Sequence, residues 1–165
     1  MANGNFVIRQ ARPEDAARLH ELHTSSVRAL CAAHYSPDVI DGWLQSRSAA
    51  GYMPPIERGA IFVAERGSAI IGFGEAAAGV VVAVYVDPSA TREGVGSAIL
   101  RHAIDMADRD HGGPIRVEST LNASRFYGRH GFREMMRLSI KRNLVEVSVV
   151  VMEMPVTARR PGNEI

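Results

Sequence analysis

The chain has one cysteine, Cys31, in 165 residues. No internal disulfide or multi-cysteine zinc site can be built from it. Its neighbours Leu30, Ala32 and Ala33 mark it as a core or half-buried thiol rather than a nucleophile. The 6 histidines show no HxxxH or HExxH spacing, so no metal is expected. Charge of one sign is also scarce. With 19 basic and 18 acidic residues the net charge is +1, which leaves no electrostatic footprint for nucleic acid or an anionic membrane. No apolar run reaches the roughly 18 residues of a membrane span. The opening MANGNFVIRQ lacks the basic-then-apolar order of a secretory signal. A cytoplasmic protein with no membrane partner is the expectation, and neither an internal repeat nor a low-complexity segment is visible.

What is present is an ordinary globular composition, 46% hydrophobic and 22% charged, long enough for one domain with a real core. The expected domain spans 1–157, followed by a polar tail, 158–165. Phe6–Arg9 alternates as a first strand. Arg12-Pro13-Glu14-Asp15 starts a helix, with proline in the first turn and acids opposing the dipole. Ala16, Leu19, Leu22, Val27 and Leu30 continue it at helical spacing. Ser36 caps a second helix carrying Val39, Ile40, Trp43 and Leu44. Gly51–Pro55 is a cluster of breakers and reads as loop. Two strands, Ala60–Ala64 and Ala69–Glu75, flank a hairpin turn at residues 65–68, and a second turn falls near Ala78-Gly79. Val80–Val86, apolar at nearly every position, reads as a central strand. A helix from Gly94 to about Arg109 leads to a strand at Ile115–Thr120, and this βαβ unit requires the two strands to be parallel. A short helix at Asn122–His130 and two strands, Phe132–Lys141 and Val145–Met154, complete a single α/β domain with a mixed sheet. Leu138–Ile140 and Val145–Val151 are apolar enough for a sheet edge or a homodimer contact.

The strongest local signal lies between the parallel strands. Val80–Val86 ends at Asp87-Pro88, a polar loop follows, and Gly94-Val95-Gly96 opens the helix. Glycines admit a ligand close to the backbone, and free amides at a helix N-terminus favour an anion. A nucleotide P-loop needs lysine after the last glycine, whereas here Ser97-Ala98 follows. A dinucleotide fingerprint needs GxGxxG or GxGxxA, and position 99 is isoleucine. A tight turn without a ligand is the bland alternative.

The downstream segment LNASRFYGRHGF, taken with YVDPSATREGVGSAIL, resembles the GCN5-related N-acetyltransferase (GNAT) family. The resemblance covers about Phe6 to Met154 in element order and is specific in two places: strand–VDP–loop–GxG–helix, and Asn–x–Ser–x–x–Tyr–x–x–x–Gly–Phe. HYSPDVIDGW further resembles a branch of small bacterial members of undefined substrate. The resemblance implies a mostly antiparallel sheet of about six to seven strands with about four helices, and a central parallel pair that splays to bind CoA. It implies acetyl-CoA as co-substrate and a primary amine of a small molecule or peptide as acceptor. The pyrophosphate would lie on the Arg92–Ser97 turn (Arg92, Glu93, Gly94, Val95, Gly96, Ser97). The pantetheine arm would lie along Val84, Tyr85 and Val86, with the Val86 amide polarising the thioester carbonyl. Asn122 and Ser124 would border the arm. Asn122 equally fits a helix N-cap, and the Ser97 hydroxyl a local cap. Thr91 departs from the family's turn pattern, leaving Arg92 as a substitute phosphate contact or a solvated side chain.

Acetyl transfer poses two proton problems. A lysine-like amine with a pKa near 10.4 is neutral in only about one molecule in 10³ at pH 7. The leaving thiolate must also be stabilised. Tyr127 matches the family's general acid. A phenol of pKa about 10 is a weaker acid than a thiol of about 8.5, so a hydrogen bond to the developing thiolate, or a site-shifted phenol, is enough. Glu75 is the best-placed carboxylate for the base; His34, Tyr35 and a water relay are alternatives. The segment from Cys31 to Pro55, with Trp43 and Tyr52, is expected to wall the acceptor side. A non-catalytic acyl-CoA-binding sensor would share the turn but need neither acid nor base. A dinucleotide-binding oxidoreductase fragment is the third reading.

Overall fold

The computed structural model describes residues 5–156; the tail expected at 158–165 lies outside them. Seven strands form one sheet: β1 (Val7–Gln10), β2 (Ile61–Arg66), β3 (Ala69–Ala77), β4 (Val80–Val86), β5 (Ile115–Thr120), β6 (Arg133–Arg142) and β7 (Val145–Met154). Their order is β1-β2-β3-β4-β5-β7-β6. Every pairing is antiparallel except β4 with β5, as the βαβ reading requires. The helices are α1 (Ala16–Leu30), α2 (Pro37–Leu44), α3 (Met53–Glu57), α4 (Val95–Asp108) and α5 (Ser124–Arg129). No described helix is long and apolar enough to cross a membrane.

Several local expectations are met by the physics that motivated them. Pro13–Asp15 forms a single 3-10 turn leading into α1, with Asp15 accepting from the Arg12 amide at 2.8 Å and pairing with Arg9. The Ser36 hydroxyl caps α2 by accepting from the Val39 amide. Gly79, at φ +74°, makes the turn between β3 and β4. Two expectations are corrected. Residues 51–55 are not loop: Ala49–Tyr52 is a 3-10 turn that runs into α3. Pro54 and Pro55 are tolerated because amides in a first turn have no helical partner to lose. Of the last two strands only β6 is an edge; β7 is paired on both sides, to β5 and β6.

The core lies on both faces of the sheet. On one face Ile99 and Leu100 of α4 pack with Phe62, Ile115 and Val117, and on the other Leu19 and Leu22 of α1 pack with Ile61 and Phe73. A Cβ on Gly74 would stand 2.4 Å from the Phe62 ring and 2.8 Å from Ile99. That bare stretch of β3 lets α4 settle against the sheet, and an added methyl there would overpack it at a cost of about 1–3 kcal/mol.

Two features place the site. The first is a bulge. Between Ala76–Val81 and Glu75–Ala83 the register advances two residues on β4 for one on β3, leaving Val82 unpaired; Val82 is 48% exposed. Bulges bend and twist the strand that carries them. The second is the brevity of the parallel ladder: β4 and β5 pair only at Val80–Arg116 and Val81–Val117. Beyond the bulge the two strands part. The Asp87 amide donates to the Ile71 carbonyl at 2.8 Å. By the alternation of an antiparallel ladder, Tyr85 also faces β3, and the peptide groups of Val84 and Val86 face the gap.

A third feature ties distant segments together. Asn143, at φ +53°, forms the tip of the β6–β7 hairpin. Its side-chain amide donates to the carbonyls of Gly42, Trp43 and Gln45. Those are groups a helix end leaves unsatisfied. The hairpin tip therefore closes the C-terminus of α2.

Candidate active site

The α4 N-terminus sits at the end of β4. Gly94 is its N-cap at φ +83°, and Arg92 just before it is also left-handed at φ +65°. The first helical bond is from the Ala98 amide to the Gly94 carbonyl at 3.1 Å. The amides of Val95, Gly96 and Ser97 thus have no backbone acceptor among the described residues. Dipole and free donors together favour an anion here. The Ser97 hydroxyl is not a local cap. The His130 Nδ1–H donates to the Phe126 carbonyl at 2.8 Å, so Nε2 accepts from Ser97 Oγ at 3.1 Å, tying α4 to α5. Thr91 closes its own loop by donating to the Pro88 carbonyl.

A cavity of about 300 Å³ runs from this turn into the gap between β4 and β5. Of the residues picked out from sequence, Val84, Tyr85, Val86, Arg92, Gly94, Gly96, Ser97 and Asn122 line it. Glu93, Val95, Ser124 and Tyr127 do not. Glu93 pairs with Arg66 at 2.6 Å, Val95 is core, and Ser124 Oγ donates to the Leu121 carbonyl at 3.4 Å. Asn122 is not an N-cap; Ala123 holds that place, and Asn122 Oδ1 accepts from Cys31 Sγ at 3.3 Å. Cys31 is buried and its thiol is pushed up to about 11 by burial, which suits a wall better than a nucleophile. Arg129, from the last turn of α5, also lines the cavity; sequence reasoning passed over it, although it stands two residues beyond Tyr127.

Tyr127 is 5% exposed and packs edge-on to Phe126, which lines the cavity, and to Phe132. Burial raises its phenol, and the neighbouring Tyr85 adds to the rise. No described residue hydrogen-bonds its hydroxyl.

On the other side of Tyr85 lies a second cavity, about 500 Å³. Glu75, Trp43, Tyr52 and Pro55 line it, together with residues not picked out from sequence: His23, Arg47, Lys141 and Arg142. Tyr85 lines both cavities and stacks on His23 with ring centroids 4.0 Å apart. His23 Nδ1 lies 2.6 Å from Arg47 Nη1 and 2.7 Å from the Tyr52 hydroxyl. A guanidinium can only donate, so Nδ1 accepts and the ring is neutral. Burial, then Arg47, pushes His23 down to about 2. The signal for His23 was available: it continues the stripe of Ala16, Leu19 and Val27 on α1. Burial raises the Glu75 carboxyl, opposed by Arg58 and Arg47. The alternative bases fare worse. The Tyr35 hydroxyl donates to the Ser148 carbonyl at 2.7 Å and accepts from the Leu121 amide at 2.9 Å, and His34 is exposed and lines neither cavity.

A mixed sheet whose one parallel pair parts after two residues, with an anion-ready helix start at the parting, is not the parallel sheet of a dinucleotide fold. The acetyltransferase (GNAT) domain family matches residues 31–155, and the chain belongs to that family of acetyl-CoA-dependent acetyltransferases. An uncharacterized N-acetyltransferase of Escherichia coli (strain K12), YafP, is 27% identical over 137 residues, 83% of this chain and 87% of that one. The fold is shared with a GCN5-related N-acetyltransferase from Rhodopseudomonas palustris, at a TM-score of 0.80 and 20% identity over 94% of this chain and 98% of that one. It is also shared with the PaiA N-acetyltransferase from Thermoplasma acidophilum in complex with coenzyme A, at a TM-score of 0.74 and 21% identity over 92% and 99%. A third is YncA of Salmonella typhimurium with its cofactor acetyl-CoA, at 0.70 and 18% over 98% and 99%.

Proposed function

We propose that the protein moves an acetyl group directly from acetyl-CoA to a primary amine of a small molecule or peptide. The observation that carries this reading is the position of Tyr85, which separates a cleft suited to a CoA arm from a polar cavity suited to an acceptor. In this reading the amides of Val95, Gly96 and Ser97 receive the pyrophosphate, assisted by Arg92 and Arg129. The gap-facing peptide groups of Val84 and Val86 pair with the pantetheine arm, beside Asn122, and the Val86 amide polarises the thioester carbonyl. Neutral amine attacks the carbonyl carbon; the C–N bond forms and the C–S bond breaks. One amine proton passes to Glu75, directly or through water. Tyr127 donates a hydrogen bond to the departing thiolate. Its raised pKa makes complete proton transfer uphill, so stabilisation of the developing charge is the larger contribution.

Thiol release from acetyl-CoA across an amine panel tests the activity, and a ligand-dependent rise in Tm tests binding separately. Tyr127→Phe is expected to lower kcat about 100-fold with CoA affinity unchanged, at the lower end of general-acid contributions. An unaltered kcat would remove Tyr127 from the mechanism. A base must be deprotonated, so kcat/KM falls as pH drops through the Glu75 pKa, which stands above its ordinary 4.5. Glu75→Gln should abolish that limb; a profile that keeps it assigns the base elsewhere.

A further inference from the structure

The second cavity has an imbalance that acetyl transfer alone does not explain. Three of its side chains are cationic, Arg47, Lys141 and Arg142, against one carboxylate, Glu75. His23 is neutral and offsets none of this charge. Among the described residues Arg47 and Lys141 make no ion pair, and Arg142 reaches only Glu118, at 3.9 Å. The polar partners of Arg47 are the uncharged His23 and Tyr52. Its charge is felt at Glu75, Tyr52 and Tyr85, and that of Arg142 at His23 and Tyr85. The unmet demand in this cavity is therefore for negative charge.

We propose that the acceptor is an amine that also carries an oxyanion, a carboxylate or a phosphate, on the same molecule. This rests on the acetyltransferase reading and names its substrate class. The amine goes to Glu75, the sole carboxylate of the cavity. The oxyanion goes to the donors contributed by Arg47, Lys141 and Arg142. Arginine forks match both oxyanions. The same positive surplus repels a lysine embedded in a basic peptide.

The test uses matched pairs presented to the full chain with acetyl-CoA: α- and ω-amino acids against their carboxamides, and O-phosphoethanolamine against ethanolamine. Binding to the CoA-loaded protein is measured alongside acetyl transfer. The oxyanion member of at least one pair is expected to have a kcat/KM about tenfold or more above its neutral partner. The carboxylate and phosphate arms identify which oxyanion is read. Lys141→Gln combined with Arg142→Gln, at exposed positions where the side-chain stems are retained, should reduce that preference to less than about threefold. Equal use of both members, a preference untouched by the double variant, or no binding by any oxyanion-bearing member overturns the proposal. Selective binding without transfer would leave the oxyanion site standing and defeat the acetyltransferase reading instead.

Discussion

Replacing Gly96 by aspartate is expected to weaken CoA binding by about 100-fold, or about 2.8 kcal/mol. The expectation comes from charge rather than bulk. A Cβ at this position meets nothing closer than 3.5 Å, from the Phe126 ring and from Val86, both ordinary contacts, and the backbone is not left-handed there. The α4 helix itself should tolerate the change, since a carboxylate in the first turn opposes the dipole favourably. The variant therefore keeps its fold and its three free amides, but sets a negative charge where a pyrophosphate is proposed to lie. Gly96→Ala is the control for bulk and should bind nearly as well as the parent. Isothermal titration with CoA reads both. Unchanged affinity in Gly96→Asp would place the pyrophosphate away from this turn, whatever the activity of the enzyme.

The second large effect is on stability. His23 titrates near its ordinary 6.5 when the chain is unfolded and is held down to about 2 when folded. Between those values the unfolded chain carries a proton on this ring that the folded chain does not. Stability therefore rises with pH across that window and is lost on acidification, at up to about 1.4 kcal/mol per pH unit below 6.5. The cost has a visible origin: the ring is buried against Tyr85, and its acceptor nitrogen faces the Arg47 guanidinium. Denaturant unfolding at pH 6.5, 5.5 and 4.5, compared with His23→Phe, isolates the effect from carboxylates that titrate in the same range. The variant starts from a different stability, since it loses the contacts of Nδ1, but its slope should be shallower by nearly one proton. Parallel slopes would mean that the ring is solvated and protonated in the native state. Asp15 and Asp87, held below their ordinary 3.8 by Arg9 and by Ser89 respectively, lose their contributions as pH falls below that ordinary value, beneath the three pH values compared.

Legibility in the sequence followed the range of the interactions. Val80–Val86 and Ile115–Thr120 have the limits read from their patterns because turns at Gly79 and Gly113-Pro114 punctuate them locally. The GxG helix start and the Ser36 cap are also local chemistry. Residues 49–57 were not legible, because a five-residue helix held by packing leaves no periodic trace and prolines read as breakers. The Val82 bulge was hidden inside an apolar run, where one extra valine looks like any other. The cations of the second cavity were invisible for a different reason. Arg47 lies in the connection after α2, Lys141 and Arg142 end β6, and only the folded sheet brings them to one cavity. Taken alone, residues 31–55 hold two acids and one base, and the basic end of β6 reads as a solvated strand end.

The Asn143 contact has a consequence for how such enzymes can change. Because the hairpin tip satisfies the end of α2, the residues that hold Trp43 in place and those that present Lys141 and Arg142 form one inherited unit. Exchanging the α2 segment between relatives transfers half of a joint, and the recipient loses the helix end and the hairpin position together. The wall of the second cavity is therefore not a modular trait; its shape is transplantable only when residues 37–47 and 141–145 travel as a pair.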